Sequence, residues 1–221
     1  MVNYFVPLIA PSLLSADFLN LQKEIEMVNK SEADWLHLDV MDGVFVPNIS
    51  FGFPVIEKVS RISAKPLDVH LMITNPEPYL ERFRKAGADI ISVHTEVCPD
   101  LPAVLTKIRV TGAKAGIVVN PETDITRIFG SIEFADMVLV MAVHPGFGGQ
   151  KFIPGTFEKL ATLRSYLRDR ELQCLVEVDG GVDLNNARPL VEASVDILVA
   201  GNTVFSSPDP AETIHRLKNI C

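Results

Sequence analysis

Cysteine is scarce: Cys98, Cys174 and Cys221 are an odd number with no CxxC spacing, which argues against a disulfide framework and fits a reduced, cytoplasmic protein. Basic residues are outnumbered, 20 Lys and Arg against 28 Asp and Glu, for a formal net charge of -8. A nucleic-acid backbone demands a basic face, so general nucleic-acid binding is not expected. The same balance removes any long-range pull on anionic ligands, and a phosphate would have to be caught by local donors such as backbone N–H groups. No apolar run approaches membrane-spanning length, so no membrane partner is expected. The apolar stretch from Val2 to Leu14 lacks a basic leader and contains Pro7 and Pro11, which reads poorly as a secretory signal. No Ser/Gly-rich linker or charge block divides the 221 residues, so one domain over 1–221 is expected.

Short β-branched runs instead alternate with helical patterns at a spacing of roughly 20–35 residues, one β-loop-α-loop unit each. Strands are predicted at Leu8–Leu14, Trp35–Val40, Leu67–Met72, Ile90–His94, Ala115–Val119, Met137–Val143, Leu175–Asp179 and Ile197–Ala200. Helices are predicted at Leu19–Lys30, capped from Ala16-Asp17, and near Pro54–Ile62, Pro76–Ala86, Leu101–Thr111, Thr123–Phe129, Thr156–Arg168, Asn185–Glu192 and Pro210–Asn219. Eight strands in this alternation predict an α/β fold, a single (β/α)8 TIM barrel. A doubly wound open sheet shows the same alternation, but it gathers its site at one switch point. Here polar residues sit at the carboxyl ends of at least six strands, as a barrel mouth requires.

In WLHLDVMDG, His37, Asp39 and Met41 alternate and share one strand face. In LDVHLM, Asp68, His70 and Met72 do the same, and LVEVDGG ends a strand with Asp179 before two glycines. Charged groups facing a core are costly unless paired or bound to a metal. A lone His–Asp pair would be a satisfied core contact, but two imidazoles and two carboxylates from three strand ends make a mixed N/O set suited to a divalent ion. Met41, Met72 and Met141 can share that face; core filling is the commoner role of methionine, but the shared inward face favours a lining of the site.

HPGFGGQ follows an apolar strand and allows the backbone N–H groups of Gly146, Phe147, Gly148 and Gly149 to turn toward an anion. Gly180 and Gly181 after the seventh strand, and Gly201 with Asn202 after the eighth, add small residues where this fold places phosphate. The sixth loop, His144 to about Gly155, is long enough to be a lid with Phe147 as its apolar tip. Ser12 ends the first strand and reads equally as a substrate contact or a backbone partner. His94 ends the fourth strand facing inward and reads first as a satisfied core histidine, with a group that supports the site from behind as the alternative; Asn120-Pro121 reads as a turn, and His215 as solvent-facing.

Taken together, APSLLSADF, HLDVMDGVFVPN, DVHLM, HTE, VMAVHPGFGGQ, VDGG and VAGN resemble the successive strand-end motifs of the ribulose-phosphate 3-epimerase family, over essentially the whole chain. The resemblance implies a ribulose-phosphate-binding barrel that interconverts D-ribulose 5-phosphate and D-xylulose 5-phosphate, in the pentose phosphate pathway. It implies one divalent ion per subunit, zinc, iron, manganese or cobalt, held by His37, Asp39, His70 and Asp179. Asp39 and Asp179 would double as the acid/base pair, while Ser12, His70, the three methionines, Asp179 and the glycine loops with Asn202 would hold a small phosphorylated ketose. Homo-oligomers are implied as well. His144, Ala142 and Asn202 depart from the family pattern, which bears on the pocket's shape. The alternatives are a 3-epimerase of a related ketose phosphate such as D-allulose 6-phosphate, a metal-assisted sugar-phosphate lyase or decarboxylase, and a non-enzymatic sugar- or metal-binding barrel. Lyase sites of that kind generally bring a lysine to the reacting centre, and no strand-end motif contains one.

Overall fold

A computed structural model describes residues 6–220. Among them, eight strands form one parallel sheet: β1 (Leu8–Ala10), β2 (Leu36–Met41), β3 (Leu67–Met72), β4 (Ile90–His94), β5 (Lys114–Val119), β6 (Met137–Met141), β7 (Leu175–Asp179) and β8 (Ile197–Val199). The order runs β1-β8-β7-β6-β5-β4-β3-β2. A parallel bridge from Ser12 to His37 and the bond from His37 N–H to Pro11 C=O, 3.0 Å, close the remaining gap between β1 and β2. This is the expected (β/α)8 barrel, not an open sheet.

Helices α1 (Leu21–Lys30), α2 (Phe53–Ile62), α3 (Leu80–Ala86), α4 (Leu101–Val110), α5 (Thr156–Asp169), α6 (Ala187–Glu192), α7 (Asn202–Phe205) and α8 (Pro210–Lys218) surround it. Their apolar stripes face the outward side chains of the strands: Ile25 and Val28 of α1 and Ile56 and Val59 of α2 pack in one core with Leu36, Leu38, Val69 and Leu71. Each fully buried aliphatic side chain of this kind contributes about 1.5–3 kcal/mol. Inside the barrel the floor is apolar, with Ile90, Met137 and Ile197 against Trp35. Polar residues occupy the layers above.

The amino-terminal rim carries a fourfold pattern. Asp34, Asp89, Asp136 and Asp196, each just ahead of an even-numbered strand, accept the backbone N–H of Ile9, Leu67, Ala115 and Val176 in the odd-numbered neighbours at 2.7–3.0 Å. Each also meets a helix cation: Lys218, Arg84, Arg109 and Arg164 respectively.

Several elements differ from the sequence reading. β1 ends at Ala10, because Pro11 has no N–H to continue the ladder, and the chain turns into a 3-10 segment, Leu13–Ser15, whose Leu14 N–H donates to Ser12 Oγ. Asp17 caps a 3-10 turn, Phe18–Asn20, rather than α1 itself. The fifth crossover is a 3-10 stretch, Ile125–Phe134, later and longer than the predicted helix. The eighth loop contains the short helix α7, which the sequence reading lacked.

Candidate metal centre and active site

Strand alternation places the donors as expected. His37 and Asp39 of β2, His70 of β3 and Asp179 of β7 all project inward near the carboxyl rim, and their donor atoms lie within 4.8 Å of one another. Asp39 Oδ1 stands 3.3 Å from His37 Nε2 and 3.1 Å from His70 Nδ1, with Asp179 Oδ2 3.9 Å from His70 Nδ1. Ser12 donates to the other Asp39 oxygen, Oδ2, at 2.6 Å. The two histidines are fully buried, and only the two aspartates reach the cavity above.

This set fits a divalent cation. His37 Nε2 is buried without an aligned hydrogen-bond partner, because Asp39 Oδ1 is near but poorly directed. His37 Nδ1 is already engaged, 2.5 Å from Asp68 Oδ2, so a carboxylate orients the imidazole and aims its free nitrogen at the cluster. A deeper triad of His37, Asp68 and Glu177 also brings three donors together. Burial, reinforced by the Asp68 charge, pushes the Glu177 carboxyl well above its usual range. A protonated Glu177 would supply the donor that Asp68 Oδ1 lacks, so the upper set is the better cation site.

The two upper carboxylates are electrostatically unequal. Burial and the Asp39 charge push Asp179 up to about 6, against the pull of both imidazoles. Burial acts on Asp39 in the same sense, but the imidazoles of His37 and His70 outweigh it and hold that carboxyl far below the carboxylate range. Splitting two acids in this way keeps Asp39 ionised throughout while Asp179 takes up a proton as the pH falls through about 6.

Above the cluster lies a cavity of about 340 Å³. Met41 and Met72 are register partners on β2 and β3, Met141 stands opposite Asp179 on β6, and all three line the cavity. Gly146 to Gly149, Gly180, Gly181, Gly201 and Asn202 form another part of its wall. Gly181 adopts φ +64°, and a Cβ there would lie 2.4 Å from the Phe152 backbone nitrogen, so the seventh loop is pressed against the sixth. The sixth loop is tied across the mouth as well: Asn48 Nδ2 donates to Gly146 C=O at 2.9 Å, and Phe147 is half exposed. Lys151 is the lysine on the cavity wall, on the loop rather than at the donor cluster, while Lys114 opens β5 at the far end. His144 lies outside, ion-paired with Glu122 at 2.9 Å.

The structure thus gathers the expected site residues at one place, except that His70, expected to contact the substrate as well as the ion, is fully buried beneath the cavity and does not line it. It adds Asp68, Glu177, Ser15 and Asn48 around them. His94 is fully buried and satisfied, but its partner is His70 itself, at 2.8 Å, with Glu96 on its other side at 3.3 Å. Burial lowers His94 to about 4, so it is neutral. His215 is half exposed and pairs with Glu32.

Comparison with known proteins agrees with this architecture. Residues 8–205 match the Ribulose-phosphate 3 epimerase family. A ribulose-phosphate 3-epimerase of Synechocystis sp. is 47% identical over 213 residues, covering 96% of this chain and 93% of that protein. That of Bacillus subtilis is 45% identical, covering 95% and 97%. Among solved structures, 3-hexulose-6-phosphate synthase superposes with a TM-score of 0.69 at 18% identity, covering 98% of this chain and 99% of that one. Orotidine 5'-phosphate decarboxylase from Pyrococcus horikoshii gives 0.70 at 15%, covering 96% and 98%. Those two likenesses concern the barrel alone, whereas the sequence matches reach further: the chain belongs to the ribulose-phosphate 3-epimerase family of isomerases.

Proposed function

We propose that the barrel interconverts D-ribulose 5-phosphate and D-xylulose 5-phosphate by two-base proton transfer at C3, with Asp39 and Asp179 as the bases. The observation that carries this reading is the pair of unequal carboxylates, supplied by β2 and β7 to one cavity and joined below by two imidazoles. Inverting a hydroxyl-bearing carbon beside a ketone requires a base on each side of the ene-diolate plane. Asp39, ionised, takes the C3 proton from one face, and Asp179, protonated, returns one to the other; the reverse reaction exchanges the roles. Each positioned carboxylate contributes about 10²–10⁴-fold through proton transfer.

His37, Asp39, His70 and Asp179 would hold one divalent ion, zinc, iron, manganese or cobalt, which when bound supplies Lewis-acid stabilisation of the charge that develops on the ketone, worth several kcal/mol. Ser12 holds Asp39 Oδ2 in place. The methionines offer soft, proton-free walls to the planar intermediate. Backbone N–H groups of Gly146, Phe147, Gly148, Gly149, Gly180, Gly181 and Gly201, with the Asn202 side chain, are assigned to the phosphate. Closing the Phe147 loop would exclude water from the ene-diolate.

Two further features belong to this reading. The catalytic unit is the single barrel over 1–221, operating as a homo-oligomer, an assembly supported by exposed apolar residues such as Val44 and Ile49 at the mouth. The free thiols of Cys98 and Cys174, both buried and pushed up to about 12 by burial, suit a reducing cytoplasm.

The test is C3 proton exchange with solvent and turnover of D-ribulose 5-phosphate, before and after chelation, with kcat/KM compared across phosphorylated ketoses. Loss on chelation and recovery with a divalent ion is the expected result. Full turnover in rigorously chelated enzyme refutes the metal centre; a strong preference for a hexulose phosphate refutes the substrate.

A further inference from the structure

The two histidines of the cluster are held from behind in different ways. His37 meets a carboxylate directly, through Asp68. His70 meets a second imidazole: its Nε2 lies 2.8 Å from Nε2 of His94, the two rings edge to edge with centroids 4.9 Å apart and planes inclined by 29°. His94 Nδ1 faces Glu96 Oε2 at 3.3 Å. The other Glu96 oxygen, Oε1, accepts from the Asn120 backbone N–H at 3.0 Å and from the Thr123 hydroxyl. That turn is pinned in its own right, because Lys159 of α5 donates to the carbonyls of Asn120, Pro121 and Thr123 at 2.7–2.9 Å.

With a cation among the four donors, so that His70 Nδ1 faces it instead of donating to Asp39 Oδ1 3.1 Å away, these contacts leave one consistent arrangement of protons. A carboxylate only accepts, so His94 carries its proton on Nδ1 and presents a bare Nε2. His70 must then donate from Nε2, which leaves its Nδ1 lone pair directed at Asp39 and Asp179. We infer that Glu96, acting through His94, is a positioning residue that holds His70 in the one tautomer able to ligate a divalent ion. This rests on the proposed ligand role of His70. It is the counterpart of Asp68 behind His37, lengthened by one imidazole, and neither Glu96 nor His94 lines the cavity.

Glu96→Gln tests the relay because the amide cannot reproduce both contacts. The Asn120 N–H requires an acceptor, so the amide oxygen takes that side and its NH₂ group faces His94 Nδ1. The proton on His94 then moves to Nε2, and His70 must turn its own bare nitrogen away from the cluster. His94→Phe removes the acceptor outright while keeping a ring against Phe45. Zinc dissociation constants, measured against a chromophoric chelator on the full chain, should be weakened about 10–100-fold in both variants, and Glu122→Gln outside the relay should match wild type. As a readout that needs no variant, zinc-loaded wild-type protein labelled with ¹⁵N should show His94 protonated on Nδ1 and bare at Nε2. Wild-type zinc affinity in both relay variants, or His94 protonated on Nε2, overturns the inference and leaves the four-ligand centre standing. Wild-type protein that binds no divalent ion overturns both.

Discussion

Replacing Asp179 by Asn should stabilise the metal-free protein while destroying its activity, two effects that an ordinary packing residue would not give together. Asp179 is pushed from 3.8 up to about 6, by burial first and by the Asp39 charge second. A folded pKa above the unfolded value means that ionising the group costs the fold. That cost is absent below pH 3.8, builds between 3.8 and 6, and is complete above 6. The difference corresponds to a ceiling of about 3 kcal/mol. Asn carries no charge and forfeits little, since His70 Nδ1 is 3.9 Å from the carboxylate, beyond hydrogen-bonding reach. A gain of about 1–3 kcal/mol at pH 8 is therefore expected, at roughly 2–4 °C of Tm per kcal/mol. Calorimetry of chelator-treated wild type and variant should show this gain at pH 8 and its disappearance near pH 4. Turnover should fall by at least about 10²–10⁴-fold. Saturating divalent ion should reverse the ranking: wild type gains about 2.7 kcal/mol at 100 times Kd, and the variant, short of one anionic donor, gains less. A lower Tm for metal-free Asp179→Asn at pH 8, or retained turnover, would refute the reasoning.

Ser12→Ala removes a buried hydrogen bond to a carboxylate, worth about 1.5–3 kcal/mol, so kcat/KM should drop about tenfold to a hundredfold with the fold intact; unchanged kinetics would strip Ser12 of its role. Gly181→Ala forces a side chain into φ +64° against the Phe152 backbone. Calorimetry should show a loss of about 1–3 kcal/mol, with KM for the phosphorylated substrate rising more than kcat changes; an unmoved KM would dissociate that loop from phosphate binding. Burial raises Glu96, but hydrogen bonds from His94, Thr123 and the Asn120 backbone outweigh it and hold the carboxyl down to about 2. Its stabilisation is thus present above pH 4.5 and lost as pH falls toward 2, so the stability gap between metal-free wild type and Glu96→Gln should reach up to about 3 kcal/mol near neutrality and close in acid. A gap that does not narrow would contradict the assignment.

What the sequence reveals about this site follows from periodicity. A strand repeats every two residues, so His37 with Asp39, and Asp68 with His70, declare a shared face without any knowledge of partners. The same spacing cannot say which neighbour a buried group will meet. That His94 bonds to His70 depends on the register between β3 and β4 and on ring orientation, so the expected satisfied core histidine is found, yet its partner is a member of the cluster. Glu177 sits in full view between Val176 and Val178, but its meaning depends on Asp68 more than a hundred positions earlier. The tie between Asn48 and Gly146 spans 98 residues and leaves no local trace. The misplaced fifth crossover has a different origin. Ile125–Phe134 has its buried residues Ile125, Ile128 and Ile132 at a spacing compatible with an α-helix, while the backbone winds more tightly in the 3-10 form.

The four aspartate clasps on the rim opposite the mouth give the barrel a division of labour. They join odd strands to even ones by backbone contacts and helix cations, at the end where no substrate arrives. This hoop of four clasps ties the strands two by two at the end away from the catalytic one. The catalytic end is then free to crowd carboxylates together, bury imidazoles and carry loops of unusual length, liabilities that a uniformly braced barrel would have to correct wherever they arose. Mutational damage should follow the same line: substitutions at the hoop are felt in yield and solubility, those at the mouth in turnover.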